Sequence, residues 1–98
     1  MKGSIISTEN AKRIMFEIYR ERPDEGPFKV VYFTELGEHE RETEISNAMH
    51  GEHVFDGFLF SESRHKAKQI INSLLDRMNQ GERLPQPEIE RELQPYLV

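Results

Sequence analysis

Six apolar residues at the spacing of one helical face, Ala67, Ile70, Ile71, Leu74, Leu75 and Met78, constrain this chain more than any other feature. A stripe that continuous has to be covered, so the segment predicts a long helix lying on a second layer of structure. Ser61 or Ser63 is placed to cap its start, and Gly81 to end it in the left-handed conformation. Two runs supply the covering layer. Phe28 to Phe33 carries Val30, Val31, Tyr32 and Phe33, apolar on both alternating faces as in a central strand. Val54 to Phe60 reads as a second strand, with Val54, Phe58 and Phe60 on one side and Phe55 and Leu59 on the other; Gly57 within it marks a bulge or a close backbone approach.

The flanks read as helices. From Thr8, the positions Ala11, Ile14, Met15, Ile18 and Tyr19 fit one helical face that ends at Pro23, and Asp24-Glu25-Gly26-Pro27 has the composition of a turn. Beyond Pro85 and Pro87, Glu88, Ile89 and Leu93 predict a last helix of about two turns, closed off at Pro95. Glu38 to His50 has two readings. The preferred one is a helix ending before Gly51, with Ile45, Ala48 and Met49 as its apolar stripe and parallel strands on either side of it. The other is a hairpin turning at Gly37-Glu38 into a polar edge strand from His39 to Ser46. The expected fold is α+β: a single small two-layer domain of two or three strands against three or four helices, in the order α-β-α(or β)-β-α-α.

Length and composition bound the rest. With 98 residues, 36% of them hydrophobic, the chain can build one core with little to spare. It has no cysteine, which excludes disulfides, thiolate metal sites and cysteine nucleophiles. The start of the chain turns polar too soon for a signal peptide and no apolar run approaches a membrane span, so the expected location is the cytoplasm. A formal charge of -5 argues against generic binding to nucleic acid or to anionic membrane.

That charge is local. Residues 1–33 hold six basic and five acidic groups, residues 34–62 one basic and eight acidic, and residues 63–98 six and five. Glu38, Glu40, Glu42 and Glu44 crowd the middle segment, as an acidic solvated face or as a surface that attracts a basic partner. Three constellations follow. His39, His50, His53 and Asp56, with Glu42 and Glu52 nearby, offer nitrogen and carboxylate ligands for a divalent metal, although Gly51 breaks the continuous helix that such spacing needs. Ser61, Ser63, Arg64 and Lys68 lie where a strand runs into a helix and offer hydroxyls and cations to a phosphate or carboxylate. The aromatics Phe28, Tyr32, Phe33, Phe55, Phe58 and Phe60 lack the interleaved cations of an RNA-stacking surface and read as core.

No arrangement reads as a nucleophile with its base, and no cofactor is required. The leading expectation is a non-catalytic binding or regulatory module, contacting a protein partner or a second copy of itself through the acidic segment or the apolar tail Tyr96-Leu97-Val98. The alternatives are a metal-binding protein or small metal-dependent enzyme using the histidine cluster, and an anion binder at the start of the long helix.

Overall fold

The computed structural model describes residues 13–22, 24–33, 45, 46 and 48–98. The first of these form a strand. β1 runs Arg13–Arg22 and is followed by β2 at Glu25–Tyr32, β3 at Glu52–Phe60, helix α1 at Arg64–Asn79 and helix α2 at Gln86–Leu93. Positions 45, 46 and 48–50 are helical. The coarse expectation holds: a small α+β protein with a three-stranded antiparallel sheet and helices. Among the described residues no helix is long and apolar enough to cross a membrane.

The expected helix over Ile14 to Tyr19 is corrected to a strand. Its apolar positions satisfy two periods at once: Ile14 with Ile18 and Met15 with Tyr19 are four apart, yet Ile14, Phe16 and Ile18 also alternate. Burial separates them, since Phe16, off the helical stripe, has no exposed surface. The β-branched and aromatic content also favours the extended chain. β1 occupies the centre of the sheet, in the order β2-β1-β3, antiparallel to both neighbours. β2 and β3 therefore run parallel to each other with β1 between them.

Turns are set by positive φ angles. β1 ends at Arg22, Asp24 turns the chain at φ 65°, and Glu25 already pairs with Arg22. Gly26, at φ 89°, sits at the irregularity between Arg20 and Arg22. On the other side of β1 a bulge falls where Ile18 pairs with Phe55 but Tyr19 with His53, leaving Val54 as the extra residue. The bulge resets the alternation: Leu59 joins the main core with both Phe55 and Val54 packed against it, whereas Phe58 and Phe60 face the other way. Val54 was expected on the same side as those two.

The main core joins Ile14, Phe16, Ile18, Tyr32 and Leu59 of the sheet to Ala67, Ile71, Leu74, Leu75 and Met78 of α1 and Ile89 and Leu93 of α2. Gly57 lies under this layer, where a Cβ would stand 3.2 Å from the Phe16 ring and 3.3 Å from Leu97. Gly81 ends α1 at φ 102°, as the sequence predicts. Its N–H donates to Met78 O and the Glu82 N–H to Arg77 O, both at 3.0 Å, the double closure of a Schellman motif. An ion pair between Arg77 and Glu82 then stands where such motifs usually place an apolar contact. The start of α1 departs from expectation. Ser61–Ser63 form a 3-10 turn, Ser63 holds the N-cap position, and no side-chain cap bond is made.

Both sheet edges are covered by side chains or tail. On β2, Asn79 Oδ1 accepts from Phe28 N at 2.7 Å and Asn79 Nδ2 donates to Phe28 O at 3.1 Å, as a neighbouring strand would. On β3, Gln86 Nε2 donates to Val54 O at 2.6 Å, Val98 N donates to Phe58 O at 2.8 Å, and Leu97 bridges Leu59. Exposed edges template aggregation, and these contacts blunt them. They also find room for the tail: Tyr96 and Leu97 are half-buried against the core, while Val98 is exposed.

Candidate functional site

The second face of the sheet, turned away from α1 and α2, carries the candidate site. Alternation along β1 brings Met15, Glu17, Tyr19 and Glu21 to this face, and β3 contributes His53, Asp56, Phe58 and Phe60. One half is roofed. Tyr19 and Val31 are fully or almost fully buried with Ala48, from the helical turn that ends at His50, and Phe33 packs beside them. Gly51 makes this approach possible: a Cβ there would lie 2.2 Å from the Arg20 carbonyl oxygen and 3.2 Å from the Tyr19 ring.

The other half is open. Phe58 pairs in register with the half-buried Met15, and Phe58 and Phe60 are 44% and 37% exposed, so the expectation that all the strand aromatics are core is corrected for these two. Two residues along each strand, on the same face, Glu17 stands opposite Asp56. Like charges directly opposed across strands are unfavourable. His53 offsets this, with Nδ1 3.0 Å from Glu17 Oε2, a contact that becomes an ion pair when the ring is protonated. At the far end Lys29 binds Glu21 at 2.6 Å, and the hydrogen bond from Lys29 holds the Glu21 carboxyl below its ordinary range.

The sequence-predicted residues separate. His50 Nδ1 lies 2.8 Å from the carbonyl oxygen of Ser46 in its own helical turn, whereas His53, on β3, serves Glu17. Glu52 accepts a hydrogen bond from Asp24 N at 3.3 Å and so joins the start of β3 to the β1–β2 turn. Asp56 belongs to the outer face opposite Glu17. Among the described residues, no three histidine, aspartate or glutamate side chains are grouped to hold a metal ion. His39, Glu38, Glu40, Glu42 and Glu44 lie outside the described residues. Of the anion candidates, Ser61 and Ser63 sit in the 3-10 turn and Arg64 opens α1. Lys68 instead lies over the Tyr32 ring, its Nζ 4.6 Å from the centroid, on the sheet side of the helix.

Sequence reasoning missed Glu17, because a helical reading of β1 cannot set it across from Asp56. It missed the openness of Phe58 and Phe60, because how far a strand face is covered depends on elements distant in sequence. Chemically the open half is an apolar strip bordered by carboxylates, able to take up an apolar group and an accompanying cation. Compared with family models, with curated proteins and with solved structures, the chain matches none, so its functional reading rests on this geometry.

Proposed function

We propose that this protein is a non-catalytic binding module that receives a basic, apolar segment of a partner protein on the open half of its outer sheet face. The observation that carries the reading is the register of β1 and β3, which sets the apolar pair Met15–Phe58, open at Phe58, directly beside the acidic pair Glu17–Asp56. Aromatic groups supply apolar contact area and the flanking carboxylates select a cationic partner. The wider charge pattern supports the same choice, since eight of the nine charged groups in residues 34–62 are acidic. A cytoplasmic, single-domain protein, with Glu38, Glu40, Glu42 and Glu44 extending the attraction, completes the proposal.

The test is an NMR titration of the labelled protein with a synthetic peptide of alternating lysine and leucine, and with its glutamate–leucine counterpart. Amide shifts are expected at Met15, Glu17, Asp56 and Phe58 for the basic peptide alone, with affinity falling as salt rises. The double variant Glu17→Lys/Asp56→Lys is expected to weaken it about tenfold. Equal response to both peptides, or shifts confined to α1 and α2, overturns the proposal. Concentration-dependent sedimentation, abolished by Phe58→Ser, would also overturn it and assign the face to a second copy of the chain.

A further inference from the structure

A cleft of about 350 Å³ opens on the helix-covered side of the sheet, where α1 stops at Asn79 and the chain turns through Gly81 to Leu84. Four of its lining residues are apolar: Phe28 of β2, the bulge residue Val54, Met78 at the end of α1, and Leu84. Two guanidiniums, Arg20 and Arg83, join them. Arg20 continues the row of Ile14, Phe16 and Ile18 on the core side of β1 and is half-buried. Its head is held in one orientation: Nε donates to Gly26 O at 3.3 Å, and Cζ lies 4.9 Å from the centroid of the Phe28 ring. Among the described residues no carboxylate lies within ion-pair distance of Arg20 or Arg83. Glu82, the acid in the lining, is bound by Arg77 through Nε at 3.1 Å and through Nη2, and Glu88 meets the same Arg77 at 3.4 Å. The hydrogen bond between Arg77 and Glu82 holds Glu82 below the ordinary carboxylate range and Arg77 above its own, so this acid is committed away from the cleft.

We infer that this cleft is a binding site for a singly charged carboxylate carried on an apolar body. A guanidinium presents a planar fork that matches a carboxylate in two hydrogen bonds, and among the described residues no acid already occupies that of Arg20 or Arg83. Arg20, Arg83 and Arg77 set against Glu82 and Glu88 are three cations to two acids, one net positive charge around the site, which suits a monoanion better than a dianionic phosphate ester. The volume falls at the small end of ligand pockets, and the four apolar side chains meet an aryl or short alkyl group. That chemistry has two sources: a free organic acid, or the last residue of a peptide with an apolar side chain and a free α-carboxylate. The site is separate from the outer face, and neither reading depends on the other.

Probes of both sources test it. 2-Naphthoate is compared with 2-naphthamide, and a pentapeptide ending in leucine with a free carboxylate is compared with its C-terminal amide, each titrated while the amides of Gly81, Leu84 and Val54 and the Arg20 Nε–H are followed by NMR. The carboxylates are expected to shift all four resonances and the amides to leave them in place; the tighter of the two acids identifies the source. Arg20→Gln and Arg83→Gln are each expected to weaken binding about tenfold. Arg83 is exposed on a loop, so its variant stays decisive even where Arg20→Gln loses the fold. Equal response to acid and amide, no response to either acid, or undiminished binding by Arg83→Gln overturns the inference.

Discussion

The two faces of one sheet have opposite fates in this protein. On the α1 side, Ile14, Phe16, Ile18 and Leu59 are at most 3% exposed beneath two helices. On the other side, one helical turn roofs Tyr19 and Val31, and Phe58 and Phe60 stay open beside two carboxylates. The strands are the same, and only parity along them differs. Burial therefore follows from what the rest of the chain can lay over each face: α1 and α2 bring a continuous apolar stripe to one, while the turn that ends at His50 brings Ala48 to the other. A face closed this completely is where stability resides, and a face half closed is where binding has room to occur.

Substitutions at matched positions break or sharpen this contrast. Phe16→Ala empties a fully buried site and is expected to cost about 3–5 kcal/mol in denaturant unfolding, whereas Phe58→Ala on the opposite parity is expected to cost less than about 1 kcal/mol. Equal losses would show that the outer face is as tightly packed as the inner one. Gly51→Ala drives a Cβ against the Arg20 carbonyl and is expected to cost about 1–3 kcal/mol, with the Tyr19 ring resonances moving toward solvent-exposed values as the roof lifts.

Smaller effects follow at the edge and on the surface. Asn79→Ala removes both hydrogen bonds to the Phe28 main chain and is expected to cost about 1–2 kcal/mol, with light scattering rising at high concentration as the β2 edge is bared. Asp56→Asn removes one of two opposed charges and is expected to raise stability by a few tenths of a kcal/mol, an increment that shrinks in high salt. The smallest effect is on pH dependence. Glu21 and Glu82 have folded pKa values below their unfolded ones, so the stability they confer is present above the ordinary carboxylate range and is lost as pH falls through the lowered values. Acid unfolding of Lys29→Met and Arg77→Met is expected to lose that part of its pH dependence.

Legibility in the sequence tracked how many patterns a segment could satisfy. α1 and α2 each fit the helical period alone, β2 and β3 read as strands from their β-branched and aromatic runs, and Gly81, Pro85 and Pro95 punctuate them where the structure does. β1 fitted two periods, and the distinction lay in Phe16, a residue whose burial depends on partners distant in sequence. The helical positions 45, 46 and 48–50 agree with the preferred helix, whose earlier part lies outside the described residues. Of the candidate sites, the local acidity was legible because charge is additive along the chain. The pairing of Glu17 with Asp56, and of Arg20 with the loop at Arg83, was not, because each joins segments that only the strand register and the end of α1 bring together.

The place of β1 between β2 and β3 has a kinetic consequence. Its contacts with β2 close across a short turn and cost little chain entropy, whereas those with β3, from Arg20–Glu52 to Arg13–Phe60, require a much longer stretch of chain to close first. A two-stranded ribbon is marginal by itself, so the early hairpin becomes lasting structure only when β3 docks and α1 seals the apolar side. Until then the central strand keeps one margin unpaired, and the speed with which β3 arrives sets how long that edge stays open to other chains.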